Sequence, residues 1–142
     1  AHTPNGLEQS LIALRSKRTP GRLIALIGAE GQRDIKKRPM MGGIAQKLSD
    51  IVIVTAVDPR GEIREINKQI KKGALKAGAK SGQNFYIIPD RQKAIKFAIR
   101  QLTQKGDTIG IFGKGHEKSM NMDGKAEIPW SDREAVEKVL HG

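Results

Sequence analysis

The residues of this sequence that are best suited to chemistry lie in a glycine-flanked cluster that follows a short apolar run. The run covers residues 107–112, and the cluster contains Lys114, His116 and Glu117. An apolar run of this length bounded by glycine is typical of a buried strand. If that strand is parallel and central, its carboxyl end lies where an open α/β sheet binds its ligand, so the cluster would line a cleft. Composition alone fits an ordinary polar turn equally well.

Two further loops carry charged residues directly after an apolar run. The run at 23–27 leads into a glycine-containing loop that can bring backbone N–H groups and Arg33 close to an anion. Its glycines do not have the spacing of a dinucleotide-binding fingerprint. The run at 51–55 leads to Asp58 and Arg60. Because all three loops lie at the carboxyl ends of predicted strands, together they indicate one candidate site.

Alternating strand and helix patterns predict the elements that hold these loops. Apolar runs at 23–27, 51–55, 85–88 and 107–112 predict four buried strands, with amphipathic helices before, between and after them. Asp90 is placed to cap one helix, and Ser131 with Glu134 forms a capping box at the last. The pair Asp123-Gly124 predicts a two-residue hairpin. We therefore expect an α/β, three-layer Rossmann-like domain. It would have a mostly parallel sheet of about six strands, a terminal antiparallel hairpin and helices on both faces.

Length and composition limit the class of protein. A chain of 142 residues fits one domain with a core of its own. The absence of cysteine excludes a disulfide framework, a thiolate zinc site and a cysteine nucleophile. No apolar segment approaches the roughly 18 residues that span a bilayer, and the first residues lack a signal-peptide pattern. We expect a single soluble domain over residues 1–142, located in the cytoplasm.

The formal net charge of +11 indicates an anionic partner. Only five aromatic residues are present, and they do not alternate with basic residues as a base-stacking surface requires. Nucleic acid is therefore the less favoured partner, and a nucleotide or another acidic small molecule explains the same excess. The lysines of the predicted helix after residue 62 are interpreted as a solvated face.

Five motifs resemble, in order and spacing, the C-terminal domain of the Mur ligases, and the tripeptide synthetase branch of that family is the nearest. The motifs are Arg33-Asp34, Lys37 to Gly42, Ile51 to Thr55 with Asp58 to Glu62, Gly113 to Glu117, and Ile128 to Glu134. The first four residues are similar to the end of the segment that joins the family's ATPase domain to this one. The resemblance spans essentially the whole chain.

This resemblance implies an ATP-dependent ligase of peptidoglycan synthesis, which activates the carboxylate of a UDP-N-acetylmuramoyl-peptide as an acyl phosphate. The amine of an incoming amino acid then attacks that intermediate. The family's P-loop and carbamylated lysine belong to a central domain, so the N-terminal and central domains are expected to be absent from this chain. ATP and Mg²⁺ would act in the full-length enzyme, and neither would be bound by this domain alone. The isolated domain is expected to be inactive, with no catalytic residue, no metal ligand and no membrane partner.

The resemblance also assigns residues. Arg33, Asp58, Arg60, Gly113 and Glu117 match the positions that bind the incoming amino acid in family members that add meso-diaminopimelate. An arginine can hold a carboxylate through two hydrogen bonds, and a glutamate can hold an ammonium group. His2 and Lys114 are expected near the nucleotide.

One departure from the family leaves the amino acid open. The family's Asp-Asn-Pro-Arg motif is replaced here by Val57-Asp58-Pro59-Arg60. Arg60 favours a substrate with a second carboxylate, whereas Asp58 favours an ammonium group. The hypothesis that combines both is a diamino acid with an amine near Asp58 and a carboxylate on the arginines. A stand-alone basic domain that binds nucleotide or nucleic acid is the alternative.

Overall fold

The computed structural model describes residues 3–17 and 21–142, and of Lys17 it describes the backbone only. The helices are α1 (Pro4–Lys17), α2 (Lys37–Leu48), α3 (Ile63–Lys76), α4 (Arg91–Phe97) and α5 (Asp132–His141), and a π-helical turn over Ala98–Leu102 continues α4. The strands are β1 (Leu23–Ile27), β2 (Ile51–Val54), β3 (Phe85–Ile87), β4 (Thr108–Ile111), β5 (Ser119–Met120) and β6 (Ile128–Pro129).

Four of the strands form one parallel sheet in the order β3-β2-β1-β4. In its centre, Ile24 of β1 is aligned with Ile51 of β2 and Ile109 of β4. Strands β5 and β6 pair antiparallel in a separate sheet, with Met120 opposite Ile128. The predicted α/β class, the parallel sheet and the terminal antiparallel pair are therefore confirmed, and the six strands are divided between two sheets.

Strand β1 is the centre of the domain, and all five of its residues are buried. Its odd-numbered residues face a core shared with α1, α2 and α3, whereas Ile24 and Leu26 face a core shared with α4 and α5. Because both faces of a central parallel strand are covered by helices, its sequence is a continuous apolar run instead of an alternating one. The predicted three-layer arrangement is confirmed.

Helices α2 and α3 touch through their backbones at two glycines. A Cβ atom on Gly42 would overlap the carbonyl oxygen of Ile70, and one on Gly73 would overlap the carbonyl oxygen of Pro39. Helix α2 follows the loop after β1, and α3 follows the loop after β2. This contact therefore fixes the two loops relative to each other.

The local signals are confirmed at two helix starts and wrong at one turn. Asp90 accepts a hydrogen bond from Lys93 N at 3.0 Å, and Ser131 Oγ accepts one from Glu134 N at 3.2 Å. The two-residue hairpin predicted at Asp123-Gly124 is wrong, because residues 121–127 all separate β5 from β6. Instead, the Asp123 carboxylate accepts hydrogen bonds from the N–H groups of Lys125 and Ala126, which lower the pKa of Asp123.

Candidate functional site

The loops after β1, β2 and β4 meet at the carboxyl edge of the parallel sheet, as predicted. They are neighbours because β1 lies between β2 and β4. Gly31 N donates to the carbonyl oxygen of Asp58 at 2.8 Å, which joins the first loop to the second. Gly113 has a φ of 105° and packs against the side chain of Val57, where a Cβ atom would clash. The third loop is thereby held against the second.

A buried ion cluster centred on Lys114 connects the second and third loops. Lys114 Nζ donates to Asp58 Oδ1 at 2.9 Å, to Asp58 Oδ2 at 3.0 Å and to Glu117 Oε1 at 2.7 Å. The side chain of Lys114 is 1% exposed and that of Asp58 is 9% exposed, whereas that of Glu117 is 49% exposed. A buried ammonium group is tolerated here because two carboxylates compensate it. The three groups together carry one net negative charge, and Glu117 is the member that meets solvent.

A second ion cluster joins the first loop to the second through Glu30. Arg60 Nη1 donates to Glu30 Oε2 at 3.1 Å and to the carbonyl oxygen of Gly31 at 3.1 Å. Arg33 Nε lies 3.3 Å from the same Glu30 oxygen, and the Arg33 side chain is 68% exposed. Two guanidinium groups around one carboxylate leave one net positive charge. The carboxyl edge of the sheet therefore carries two clusters of opposite net charge.

The loop that carries Arg60 has an unusual backbone. Arg60 has a φ of 48° and Gly61 a φ of 84°, so two successive residues adopt left-handed conformations. A non-glycine residue in this region is uncommon and is retained only where its surroundings enforce it. The N–H groups of Arg60 and Gly61 donate to the carbonyl oxygens of Asn121 and Met122 at 3.0 and 2.7 Å. These two hydrogen bonds hold the left-handed conformation in place.

A cleft of about 320 Å³ opens beside the Glu30 cluster. Its charged lining consists of Glu30, Arg33, Asp34, Lys37 and Arg38, and its uncharged lining of Thr3, Ala29 and Met41. Three cations and two carboxylates give this lining a net positive charge. The cleft can therefore accept a carboxylate or another small anion.

The predicted site residues fall into two clusters, and they differ in how accessible they are to a ligand. The structure brings Asp58, Gly113, Lys114 and Glu117 together at one cluster and Arg33 and Arg60 together at the other. Asp58 is not open to a ligand, because its oxygens accept hydrogen bonds from Lys114 and from Asn121 N. Lys114 lies against carboxylates of its own domain. His2 lies outside the described residues, and His116 is exposed.

Arg38 is a buried residue for which the sequence predicts no role. Its Nη1 donates to Gln69 Oε1 at 2.8 Å, and its Nη2 donates to the carbonyl oxygen of Glu30 and to Glu62 Oε1, both at 3.2 Å. Its Nε has no hydrogen-bond partner among the described residues. Arg38 therefore anchors the loop that carries Arg33. Its position within the Lys37 to Gly42 motif is the one signal that could have identified it.

Arg91 and Asp132 form a second buried pair that sequence reasoning misses. Arg91 Nε and Nη2 donate to the two oxygens of Asp132, both at 2.8 Å. The same guanidinium donates to the carbonyl oxygens of Ala56 and Phe112, which follow β2 and β4. Trp130 Nε1 donates to Asp132 Oδ1 at 2.7 Å. The pair fixes the second and third loops from the opposite face of the sheet.

The remaining positive charge is spread over the surface. Lys68, Lys72, Lys76 and Lys80 on and after α3 are exposed, and no ion pair reaches them among residues 3–17 and 21–142. In the same part of the chain no group of three His, Asp or Glu side chains could hold a metal ion. None of the described helices is long and apolar enough to cross a bilayer.

Comparison with known proteins places this geometry in a family. The family described as Mur ligase, glutamate ligase domain, matches residues 1–115. The 2,6-diaminopimelate ligase of Aquifex aeolicus, which acts on UDP-N-acetylmuramoyl-L-alanyl-D-glutamate by its name, is 41% identical over 142 residues, covering 100% of this chain and 28% of the relative. The UDP-N-acetylmuramyl-tripeptide synthetase of Treponema denticola is 39% identical over 145 residues, covering 100% of this chain and 26% of the relative.

A solved structure agrees with the sequence relatives. It is that of a UDP-N-acetylmuramoyl-L-alanyl-D-glutamate 2,6-diaminopimelate ligase, which superimposes with a TM-score of 0.83 at 35% identity. The match covers 100% of this chain and 29% of that structure. This chain thus spans less than a third of the length of the relatives that it matches. The chain belongs to the Mur ligase family, and it corresponds to the C-terminal domain of those enzymes.

Proposed function

We propose that this chain is the C-terminal domain of an ATP-dependent ligase that adds a diamino acid to a UDP-N-acetylmuramoyl-peptide, and that the domain binds the incoming amino acid. The observation that carries the proposal is the pair of oppositely charged clusters at the carboxyl edge of the sheet. An amino acid is a zwitterion, and a site with one net positive and one net negative cluster is complementary to it. Family membership supports this function over a stand-alone nucleotide- or nucleic-acid-binding domain.

Arg33 and Arg60 are proposed to hold a carboxylate of the amino acid. Both guanidinium groups already converge on one carboxylate oxygen of Glu30, and a ligand carboxylate offers them the same chemistry. Arg33 is the more exposed of the two, and it lines the cleft. The attraction of both cations to Glu30 offsets their mutual repulsion when no ligand is bound.

Glu117 is proposed to hold an ammonium group of the same ligand. Lys114 fixes one oxygen of Glu117, and the half-exposed carboxylate stays within reach of a ligand. The other amine of a diamino acid is then left to attack the acyl phosphate, forming the amide bond and releasing phosphate. Asp58 contributes through Lys114, because its oxygens are held within the protein. Gly113 sets the position of the loop that carries both Lys114 and Glu117.

Mur ligases are ATP-dependent ligases, and we propose that the nucleotide and Mg²⁺ are held mainly by domains outside this chain. The sequence lacks a phosphate-cradling P-loop, and its described residues offer no carboxylate cluster that fits Mg²⁺. The proposal gives His2 and Lys114 places near the nucleotide in the assembled enzyme, and it places that enzyme in the cytoplasm. It also predicts that the purified 142-residue chain hydrolyses no ATP.

The test is Glu117→Gln in the full-length ligase, with diaminopimelate, ATP and the UDP-linked peptide varied in turn. Loss of a charge-assisted hydrogen bond costs about 1.5–3 kcal/mol, so the KM for diaminopimelate should rise roughly 10- to 150-fold. The KM for ATP should stay within about twofold. The matched control is Glu137→Gln, since Glu137 is similarly exposed and pairs with Arg133 on α5. Equal effects of the two substitutions would overturn the assignment of Glu117.

A second test addresses which amino acid is added. Asp58→Asn introduces the amide that the family motif carries and removes one negative charge beside Lys114. We expect the ratio of kcat/KM for diaminopimelate to that for lysine to rise, because less negative charge surrounds the second carboxylate of the ligand. An unchanged ratio would show that Asp58 does not influence the distal end of the amino acid.

A further inference from the structure

The turn formed by residues 121–124 contacts the Asp58 to Gly61 loop at several points. Asn121 N donates to Asp58 Oδ1 at 2.8 Å, and the carbonyl oxygen of Asn121 accepts from Arg60 N at 3.0 Å. The neighbouring carbonyl of Met122 accepts from Gly61 N at 2.7 Å. The turn therefore holds both the residue that pairs with Lys114 and the residue that pairs with Glu30.

Two residues give the turn its shape. Asn121 Oδ1 accepts a hydrogen bond from Gly124 N at 2.7 Å, which closes the turn with a side chain. Gly124 has a φ of 85°, and a Cβ atom built on it would lie 2.8 Å from the carbonyl oxygen of Arg60. Only glycine allows the turn to approach Arg60 this closely. The contact is made on the backbone of Arg60, away from its guanidinium group.

The approach matters because Arg60 is in a left-handed conformation. An arginine in solution prefers other backbone conformations, in which its side chain would leave the loop in a different direction. The N–H groups of Arg60 and Gly61 donate to carbonyl oxygens of the turn. These two hydrogen bonds favour the left-handed conformation of Arg60. With that backbone, the guanidinium reaches Glu30 and the carbonyl of Gly31.

We propose that Asn121 and Gly124 are positioning residues for the amino-acid site, which act by holding Arg60 in its left-handed conformation and Asp58 against Lys114. This rests on the proposed function, because it takes Arg60 to bind the amino acid. The turn itself need not touch the ligand. Its effect is on the direction of the Arg60 side chain and hence on affinity for the amino acid.

The test is Gly124→Ala in the full-length ligase, with Gly78→Ala as the matched control. Both glycines have positive φ values, 85° and 99°, so both substitutions strain the backbone in the same way. Nothing lies within 4 Å of a Cβ atom on Gly78, whereas one on Gly124 meets Arg60. We expect Gly124→Ala to raise the KM for diaminopimelate about five- to tenfold, as partial loss of one charge-assisted contact would. The values of kcat and of the KM for ATP should stay within about twofold, and Gly78→Ala should change none of the three.

Asn121→Ala is the second variant, since it opens the turn without adding an atom. It should raise the same KM by a smaller factor, so the proposal can be tested even if Gly124→Ala does not fold. Identical kinetics for Gly124→Ala, Asn121→Ala and Gly78→Ala would overturn the proposal. An equal loss of kcat and of affinity for every substrate would also overturn it, because that is the signature of general structural damage.

Arg60→Ala separates this proposal from the proposed function. If Arg60→Ala leaves the KM for diaminopimelate unchanged, the role of Arg60 in binding is wrong. If it raises that KM while Gly124→Ala behaves like Gly78→Ala, only the positioning role is wrong. In the double variant, the effect of Gly124→Ala should be much smaller, because the side chain that it directs is gone and only the contact of the turn with Asp58 remains. Additive effects would show that the turn acts by another route.

Discussion

The two ends of the parallel sheet carry the same kinds of charged side chain in different arrangements. At the amino end, Asp107 lies just before β4 and accepts four hydrogen bonds. Arg22 supplies three of them, from N, Nε and Nη2 at 2.8, 3.2 and 2.8 Å, and Gln104 N supplies the fourth at 2.9 Å. Asp50 accepts from Leu23 N at 2.7 Å and ties β1 to the residue before β2. These carboxylates accept hydrogen bonds from backbone N–H groups where the strands begin.

At the carboxyl end, charges are grouped in threes across separate loops. Lys114 is shared by two carboxylates, and Glu30 is shared by two guanidinium groups. One member of each cluster, Glu117 or Arg33, is substantially exposed. Each cluster therefore carries a net charge beside solvent, whereas the Arg22–Asp107 pair is neutral.

The difference separates a structural ion pair from the proposed binding site. A carboxylate whose oxygens are filled by neighbouring groups has little left to offer a ligand, and its contribution is to stability. A cluster whose own three charges do not sum to zero gains when a ligand supplies the opposite charge. The same sheet thus carries both arrangements of acidic residues at its strand ends.

The largest expected effect comes from removing the centre of a cluster. Lys114→Met should lower the free energy of unfolding of the isolated domain by about 3–5 kcal/mol, because it leaves Asp58 buried without its counter-ion. Urea denaturation followed by circular dichroism measures this change. Adding Asp58→Asn to Lys114→Met should recover part of the loss. A cost below about 1 kcal/mol would mean that Lys114 resembles an ordinary surface cation.

A smaller effect is expected at the amino end. Arg22→Met removes hydrogen bonds to Asp107, but the Arg22 side chain is 39% exposed, so solvent replaces part of the interaction. We expect a loss of about 1.5 kcal/mol in the free energy of unfolding, at the lower limit for charged hydrogen bonds. The KM for diaminopimelate in the full-length ligase should be unchanged. A large rise in that KM would contradict the division between the two ends.

The last effect is a change in acid stability. Hydrogen bonds, above all from the Arg22 side chain, lower the pKa of Asp107 from 3.8 to about 2. A lowered pKa in the folded state contributes stability above the unfolded pKa, and that stability is lost as the pH falls from about 4 to 2. Asp107→Asn should therefore flatten the decline of the unfolding free energy over this range. Arg22→Met should flatten it too, and a slope equal to that of the unmodified domain would contradict this account.

The sequence predicts those parts of the structure that depend on neighbouring residues. The run Leu23–Ile27 is buried on both faces, and its uninterrupted apolar sequence predicts this burial. Asp90 caps α4 through an N–H group three residues away, so its role is also local. The meeting of three loops follows from parallel strand order, which the alternation of strands and helices indicates.

The interactions that escaped prediction are the distant ones. Lys114 and Asp58 are separated by 56 positions, and Arg91 and Asp132 by 41, so no local pattern pairs them. The hairpin prediction failed for a related reason. Asp123-Gly124 is a local hairpin signal, but Gly124 is used in the contact with Arg60, and strand pairing begins farther out. Left-handed Arg60 has no sequence signal, since glycine is the residue expected in that conformation.

The backbone contact between α2 and α3 has a consequence for selectivity. Each helix continues from a loop that carries an arginine of the proposed site, and the two helices are in backbone contact at Gly42 and Gly73. This contact limits how far the two loops can move apart, so less of the entropy of arranging them is lost during binding. A frame held by backbone contact adjusts little to a smaller ligand. Discrimination against a diamino acid with a shorter chain would then reside in the spacing of the backbone, and replacing single side chains would not transfer it.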